Sequence, residues 1–197
     1  MRLFGLVADA YYSGISNEAT PDDAQGLLYA RFSCGARRPG HYERHRIAIP
    51  GMTTLLTYRG TVYPWHCDQV GHMNVMWYVG KFDEATWQLF NAIGLTPSYM
   101  HANQRGMAAV DQHISYEREL RSGAVVSVTS SVREVHTKRI VFVHEMRNDE
   151  SGEVAARTTL TAVHMDTIAR KSCAFPAAVV DAARALAGEA PAATGKV

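Results

Sequence analysis

At 197 residues the chain has room for one domain with a sizeable core and an appendage, and its 20 Lys plus Arg nearly cancel its 19 Asp plus Glu. That balance supplies no polybasic field for nucleic acid or an anionic membrane surface, so an anionic ligand has to be met by local cations. Cys34, Cys67 and Cys173 are odd in number, widely spaced and without a CxxC pair, which argues against a disulfide framework and a zinc site and for a reducing, cytoplasmic setting.

No uninterrupted apolar run approaches the roughly 20 residues of a membrane span. The short apolar start, residues 1–10, is cut by Asp9, so no secretory leader is expected. Residues 1–52 hold no helical or strand period for long, and Cys34-Gly35-Ala36-Arg37-Arg38-Pro39-Gly40-His41 reads as irregular and basic. The compact pattern sets in directly after Met52. This divides the chain into an irregular extension over 1–52, a domain over 53–175, and a C-terminal helix with a frayed tail over 176–197. On the same grounds Met52 is a candidate for the native start.

The first strand-like run is 57–63. Asp68-Gln69-Val70-Gly71-His72-Met73-Asn74 then leads straight into a helix predicted over 75–93, in which Tyr78, Phe82, Ala85, Leu89 and Ile93 recur at spacings of three and four. Val75, Val79, Thr86 and Phe90 widen the stripe, so the helix is expected to be buried, with Lys81, Asp83, Glu84, Gln88 and Asn91 on its wetter face. Gly94 and Thr96-Pro97 end it. Downstream the period becomes two: Val110, Gln112, Ile114, Tyr116 and Leu120 alternate with polar residues up to a Ser122-Gly123 turn. Runs at 124–135, 140–146 and 154–164 follow, and the four predict a meander. Pro176 opens a last helix over Ala177–Ala187.

The loop ahead of the long helix carries the chemistry. A helix start offers unpaired N–H groups and the positive end of the macrodipole, which favour an ionised carboxylate nearby and suit a developing oxyanion. Asp68 is therefore a candidate nucleophile or general base for acyl transfer, against the ordinary alternative of a loop Asp bonding its own turn. Gly71 lets the backbone turn tightly. Asn74 is a good N-cap type whose amide can equally hold Asp68 or a water, and His72 can polarise a carbonyl or orient Asp68. Cys67 beside His66 is not read as a thiol dyad, since neighbours in extended chain point to opposite sides. His66, Asp68 and His72 match no metal-ligand spacing. Asp83 and Glu84 sit mid-helix, where solvated or subunit-facing charges are the ordinary reading. Tyr63, Trp65, Trp77 and Trp87 gather around this region and suit an acyl pocket or a stack on a cationic acyl group.

The order β, α, then four β, with Asp68-x-x-Gly71-His72-x-Asn74-x-x-x-Tyr78-x-x-x-Phe82, resembles the 4-hydroxybenzoyl-CoA thioesterase-like acyl-CoA hydrolases of the hotdog fold over 55–175. A fainter likeness is to plant acyl-ACP thioesterases. The resemblance implies an α+β fold with about five antiparallel strands curved around a long central helix. It implies hydrolysis of an acyl-CoA to a carboxylic acid and free CoA, with no metal and no cofactor beyond the coenzyme A of the substrate. A homodimer or homotetramer with sites between subunits is also implied. Asp68, Gly71, His72 and Asn74 form the implied site with the backbone N–H near Val75 as oxyanion donor, and Arg118, Arg121, Lys138 and Arg139 are the cations near turns where such enzymes hold the nucleotide. Two departures matter: many relatives have two asparagines where this chain has Asn74-Val75, and Val70 replaces the plant-type asparagine, which argues against a full Asp, Asn and His set. The alternatives are a hotdog dehydratase or hydratase, whose Asp and His set with an intervening Asn-Pro is absent, and a non-catalytic acyl-CoA-binding module.

Overall fold

The computed structural model describes residues 46–49 and 52–188, all within one compact unit of the chain, residues 43–197. The rest of the expected extension and the tail beyond 188 lie outside the described residues. Among the described residues seven strands form a single antiparallel sheet: β1 (Arg46–Ile49), β2 (Met52–Thr61), β3 (Arg105–Tyr116), β4 (Val125–Val135), β5 (Arg139–Asn148), β6 (Val154–Asp166) and the short β7 (Lys171–Ser172). Their order is β1-β2-β4-β5-β6-β3, with β7 on β6. The helices are α1 (Val75–Ala92), α2 (Pro97–Asn103) and α3 (Ala177–Ala187).

Five long strands match the expected number, and β1 and β7 are short additions. β1 falls in the stretch expected to be irregular and pairs with β2, Ile49 opposite Met52. The expected four-strand meander holds only for β4, β5 and β6. β3 pairs with β6, not with β4. The reason lies in the link between β3 and β4, which is too long for a tight hairpin. It crosses beneath the start of α1, where Leu120 is buried and its carbonyl accepts the Met73 N–H at 2.6 Å. α2 was not anticipated, because Thr96-Pro97 reads as a stop. It is equally a start: the Thr96 hydroxyl accepts the Tyr99 N–H and Pro97 fills the first helical position, where a missing N–H costs nothing.

The alternation in β4 turns Val126, Val128, Ser130 and Val132 inward, and β5 does the same with Ile140, Phe142, His144 and Met146. α1 lies against them with Tyr78, Phe82, Ala85 and Leu89, so the helical and strand periods meet in one core. Between the two halves of that core sits His144, fully buried, with Nδ1 2.6 Å from the Ser130 hydroxyl and Nε2 2.9 Å from the Thr86 hydroxyl. Burial pushes its pKa down to about 3, because a charged imidazole has no water there to solvate it. The helix is less covered than its stripe suggests: Val75, Met76, Val79 and Trp87 are exposed. Lys81, expected on the wet face, is only 3% exposed.

Candidate active site

After β2 the chain makes one 3-10 turn, Pro64–His66, and then an isolated antiparallel bridge between Cys67 and Met73 closes the intervening residues into a loop. The Asp68 N–H donates to the His72 carbonyl at 3.2 Å, and the Gly71 N–H to the Asp68 carbonyl at 3.0 Å. Gly71 has φ +88° with nothing within 4 Å of where a Cβ would stand, so conformation rather than space selects glycine there.

The loop holds the Asp68 carboxylate at both oxygens. Oδ1 accepts the Val70 N–H at 2.9 Å and Oδ2 accepts the Asn74 side-chain amide at 3.0 Å. The Val70 N–H first, then Asn74, hold its pKa below the ordinary carboxylate value, since both donors favour the charged form. The other end of the Asn74 amide accepts the Met76 N–H at 3.0 Å, which caps α1, while the Asn74 carbonyl accepts the Trp77 N–H. The first helical N–H, that of Val75, is left with no acceptor among the described residues. An ionised carboxylate and a free donor at a helix start therefore flank one short segment.

The other expected residues sort themselves around this pair. His72 lies with Nε2 3.6 Å from Glu119, on the β3–β4 link, and no hydrogen bond joins its ring to Asp68. Tyr78 and Phe82 are core, the Tyr78 hydroxyl donating to the Arg118 carbonyl. His66 takes the Tyr63 N–H on Nδ1 and Cys67 Sγ faces the Tyr63 carbonyl, so thiol and imidazole engage Tyr63 and not each other. No three His, Cys, Asp or Glu side chains among the described residues stand as a metal cluster.

Two cavities border α1, and a further cleft lies on the β3–β4 link. A cleft of about 600 Å³ runs along the β3–β4 link and contains Arg118 and Arg121. Its field is mixed, because Glu117, Glu119 and Glu150 line it too, and Arg118 is paired with Glu153 at 3.4 Å. Lys138 and Arg139 sit at the β4–β5 turn, the opposite end of β4 from this cleft, so one subunit does not bring all four cations together. A smaller cavity of about 120 Å³ lies between α1 and β3, bounded by Val79, Phe82, Asp83, Thr86, Trp87 and Gln112 among others. Asp83 thus faces a cavity one face away from Glu84. The third, about 330 Å³, lies on the Glu84 side with Tyr63, Trp65, His66, Trp77 and Lys81. Sequence reading missed the burial of Lys81; the signal available was Tyr58, whose phenol can reach a lysine stem laid along β2.

The model of the thioesterase-like superfamily matches residues 62–183, from the end of β2 to the middle of α3. The chain belongs to the thioesterase-like superfamily. The betainyl-CoA thioesterase of Pseudomonas aeruginosa is 27% identical over 133 residues, 68% of this chain and 84% of that protein. Among solved structures, a putative thioesterase from Pseudomonas putida superposes with a TM-score of 0.61 at 28% identity, covering 75% of this chain and 97% of that one. A hypothetical protein from Staphylococcus aureus, solved in complex with CoA, superposes with a TM-score of 0.65 at 20% identity, over 76% of this chain and 92% of that one. The thioesterase-like assignment and the hotdog architecture expected from the Asp68 motif therefore stand, and this member is a thioester hydrolase. No helix among its described residues is long and apolar enough to cross a membrane.

Proposed function

We propose that the protein hydrolyses a short acyl-CoA to the free acid and CoA, with Asp68 as the reacting carboxylate and the Val75 N–H as oxyanion donor. The observation that carries this reading is the depressed, doubly held Asp68 carboxylate set just ahead of a free N–H on an 18-residue helix. As nucleophile, Asp68 adds to the thioester carbonyl, the C–S bond breaks, and CoA leaves as a thiolate that needs no strong acid. Water then cleaves the mixed anhydride and restores the carboxylate. As base, Asp68 instead takes a proton from a water that attacks directly. Trapping of the acyl-Asp68 anhydride by hydroxylamine during turnover, which converts Asp68 to its hydroxamate or releases the acyl hydroxamate faster than from free substrate, identifies the nucleophilic route, and label in Asp68 after single turnover in ¹⁸O-water supports it where water attacks the Asp68 carbonyl.

The acyl group is assigned to the cavity between α1 and β3, one helical turn along from Val75, and the CoA arm to the cleft at Arg118 and Arg121. About 120 Å³ is too small for a long chain. Asp83 and the Trp87 indole border that cavity without a cationic residue among its lining, which suits a positively charged acyl group such as that of the betainyl-CoA relative. β3 is an edge strand among the described residues, with Val110 exposed on it and Val79 and Trp87 exposed on α1 beside it, so a homodimer through this face is part of the same reading. Thiol release from a panel of betainyl-, acetyl-, benzoyl- and palmitoyl-CoA tests the proposal. Rapid turnover of the first is expected; binding of all four without CoA release leaves a non-catalytic module instead.

A further inference from the structure

The cavity on the other side of α1 has a composition the hydrolytic reading does not use. Its floor is Lys81, whose ammonium is 2.8 Å from the Tyr58 hydroxyl and 3.4 Å from the Thr61 carbonyl and lies over the Tyr58 ring at 5.1 Å. An ammonium has three N–H donors, and no carboxylate among the described residues lies within ion-pair distance of this one. A buried charge with a spare donor is expensive to keep unless something completes it.

A second donor lines the same cavity. His66 is buried in the same cavity wall, and because Nδ1 accepts the Tyr63 N–H, the ring proton of the neutral imidazole sits on Nε2, for which the described residues offer no acceptor. Around these donors stand Tyr63 and Trp65, stacked at 4.5 Å and 6°, and Trp77, packed on the His66 ring at 4.2 Å. Trp65 is exposed, and Glu84 brings one carboxylate to the cavity.

We infer that this cavity of about 330 Å³ is a binding site for a small zwitterion, with the ligand carboxylate on Lys81 and the Tyr58 hydroxyl and its cationic end against the Tyr63, Trp65 and Trp77 rings and Glu84. The division of charge selects against simpler ligands. A bare anion meets Glu84 as well as Lys81, and a bare cation meets an ammonium at the floor. A zwitterion satisfies both, with the aromatic faces attracting its cation and the ammonium its carboxylate. None of residues 67–74 of the Asp68 loop lines this cavity, and the inference does not depend on the acyl preference proposed above.

Isothermal titration of the full chain with glycine betaine, choline and acetate tests it. Betaine is expected to saturate one site and to bind at least about tenfold more tightly than either half-ligand. Lys81→Met should weaken betaine by about tenfold or more. Trp65→Ala, at an exposed position that does not threaten folding, should weaken it severalfold. The inference is overturned if betaine does not saturate, if choline or acetate binds as well, or if Trp65→Ala leaves betaine affinity intact. It is equally overturned if Lys81→Met, with its fold intact by circular dichroism, lowers betaine affinity and kcat/KM for acyl-CoA together, which would make this cavity part of the hydrolytic site.

Discussion

Asn74 joins Asp68 to α1 through the two ends of one amide: Nδ2 donates to the Asp68 carboxylate at 3.0 Å, and Oδ1 accepts the Met76 N–H at 3.0 Å. The two roles that the sequence leaves as alternatives, cap and partner of the acid, are filled at once. Removing the amide should therefore have two separable effects. Asn74→Ala loses the cap, a cost of about 1 kcal/mol in denaturant unfolding. It also removes a donor that keeps Asp68 ionised, so the acid limb of the kcat/KM profile should move up toward the ordinary carboxylate range. An unmoved acid limb would separate Asp68 from the rate.

Asp68→Asn keeps the shape of the side chain and removes its charge and basicity. Thiol release should fall by about 100-fold or more, with substrate binding by titration close to wild type. Hydrolysis at the wild-type rate would eliminate Asp68 as the reacting group, whatever the thioesterase-like assignment says of the chain as a whole.

Gly71→Ala forces a Cβ onto a backbone with φ +88° where no neighbour obstructs it. The penalty is conformational, roughly 1 kcal/mol, and falls on the loop that carries Asp68. A lower kcat with little change in Tm is expected. Crystals of the variant showing an unaltered loop at wild-type activity would refute this.

The neutral state of His144 makes stability depend on pH. Its folded pKa of about 3 lies below the ordinary 6.5, so as pH falls below 6.5 the unfolded chain takes up a proton that the folded chain refuses. At pH 5 this one group should account for a loss of about 2 kcal/mol relative to neutral pH, and the loss should keep growing until the folded pKa is reached. Urea unfolding at the two pH values, in wild type and in His144→Gln, checks it: the variant should show the smaller difference, even though breaking the Ser130 and Thr86 contacts lowers its stability at both.

Val79→Glu puts a charge on the exposed helix face beside the β3 edge. If that face joins two copies, light scattering should show a dimer for wild type and a monomer for the variant, with helix content unchanged by circular dichroism. A wild-type monomer, or a variant dimer, would refute the interface.

The parts of the fold legible in the sequence are those where period and burial coincide. The stripe from Tyr78 to Leu89 and the alternation from Val126 to Met146 each have one partner to pack on, and each packs on the other. The neighbour of β3 was not legible, because the period of two carries on to Leu120, whereas the chain leaves β3 at Tyr116 and Leu120 lies in the link, where its carbonyl takes the Met73 N–H. Lys81 was misread for a related reason: helical spacing puts it on the polar side of α1, but Tyr58 and Thr61 on β2 close over that side. The Asp68 loop was legible as a motif because carboxylate, glycine and cap are local, and the hydrogen bonds that define it span at most six residues.

The sheet order also sets when this loop can come into being. β2 finds its partner in β4, with Thr57 and Ser130 hydroxyls meeting across 73 residues, and β3 finds its own only in β6. Among the described residues, the sheet face on which α1 packs is built largely by β4 and β5, which follow α1 in the chain. Pairings so distant in sequence make folding slow compared with a helical bundle. A nascent chain that has emerged only as far as α2 already contains Asp68, Gly71, Asn74 and Val75 and still lacks the scaffold that turns them into a site.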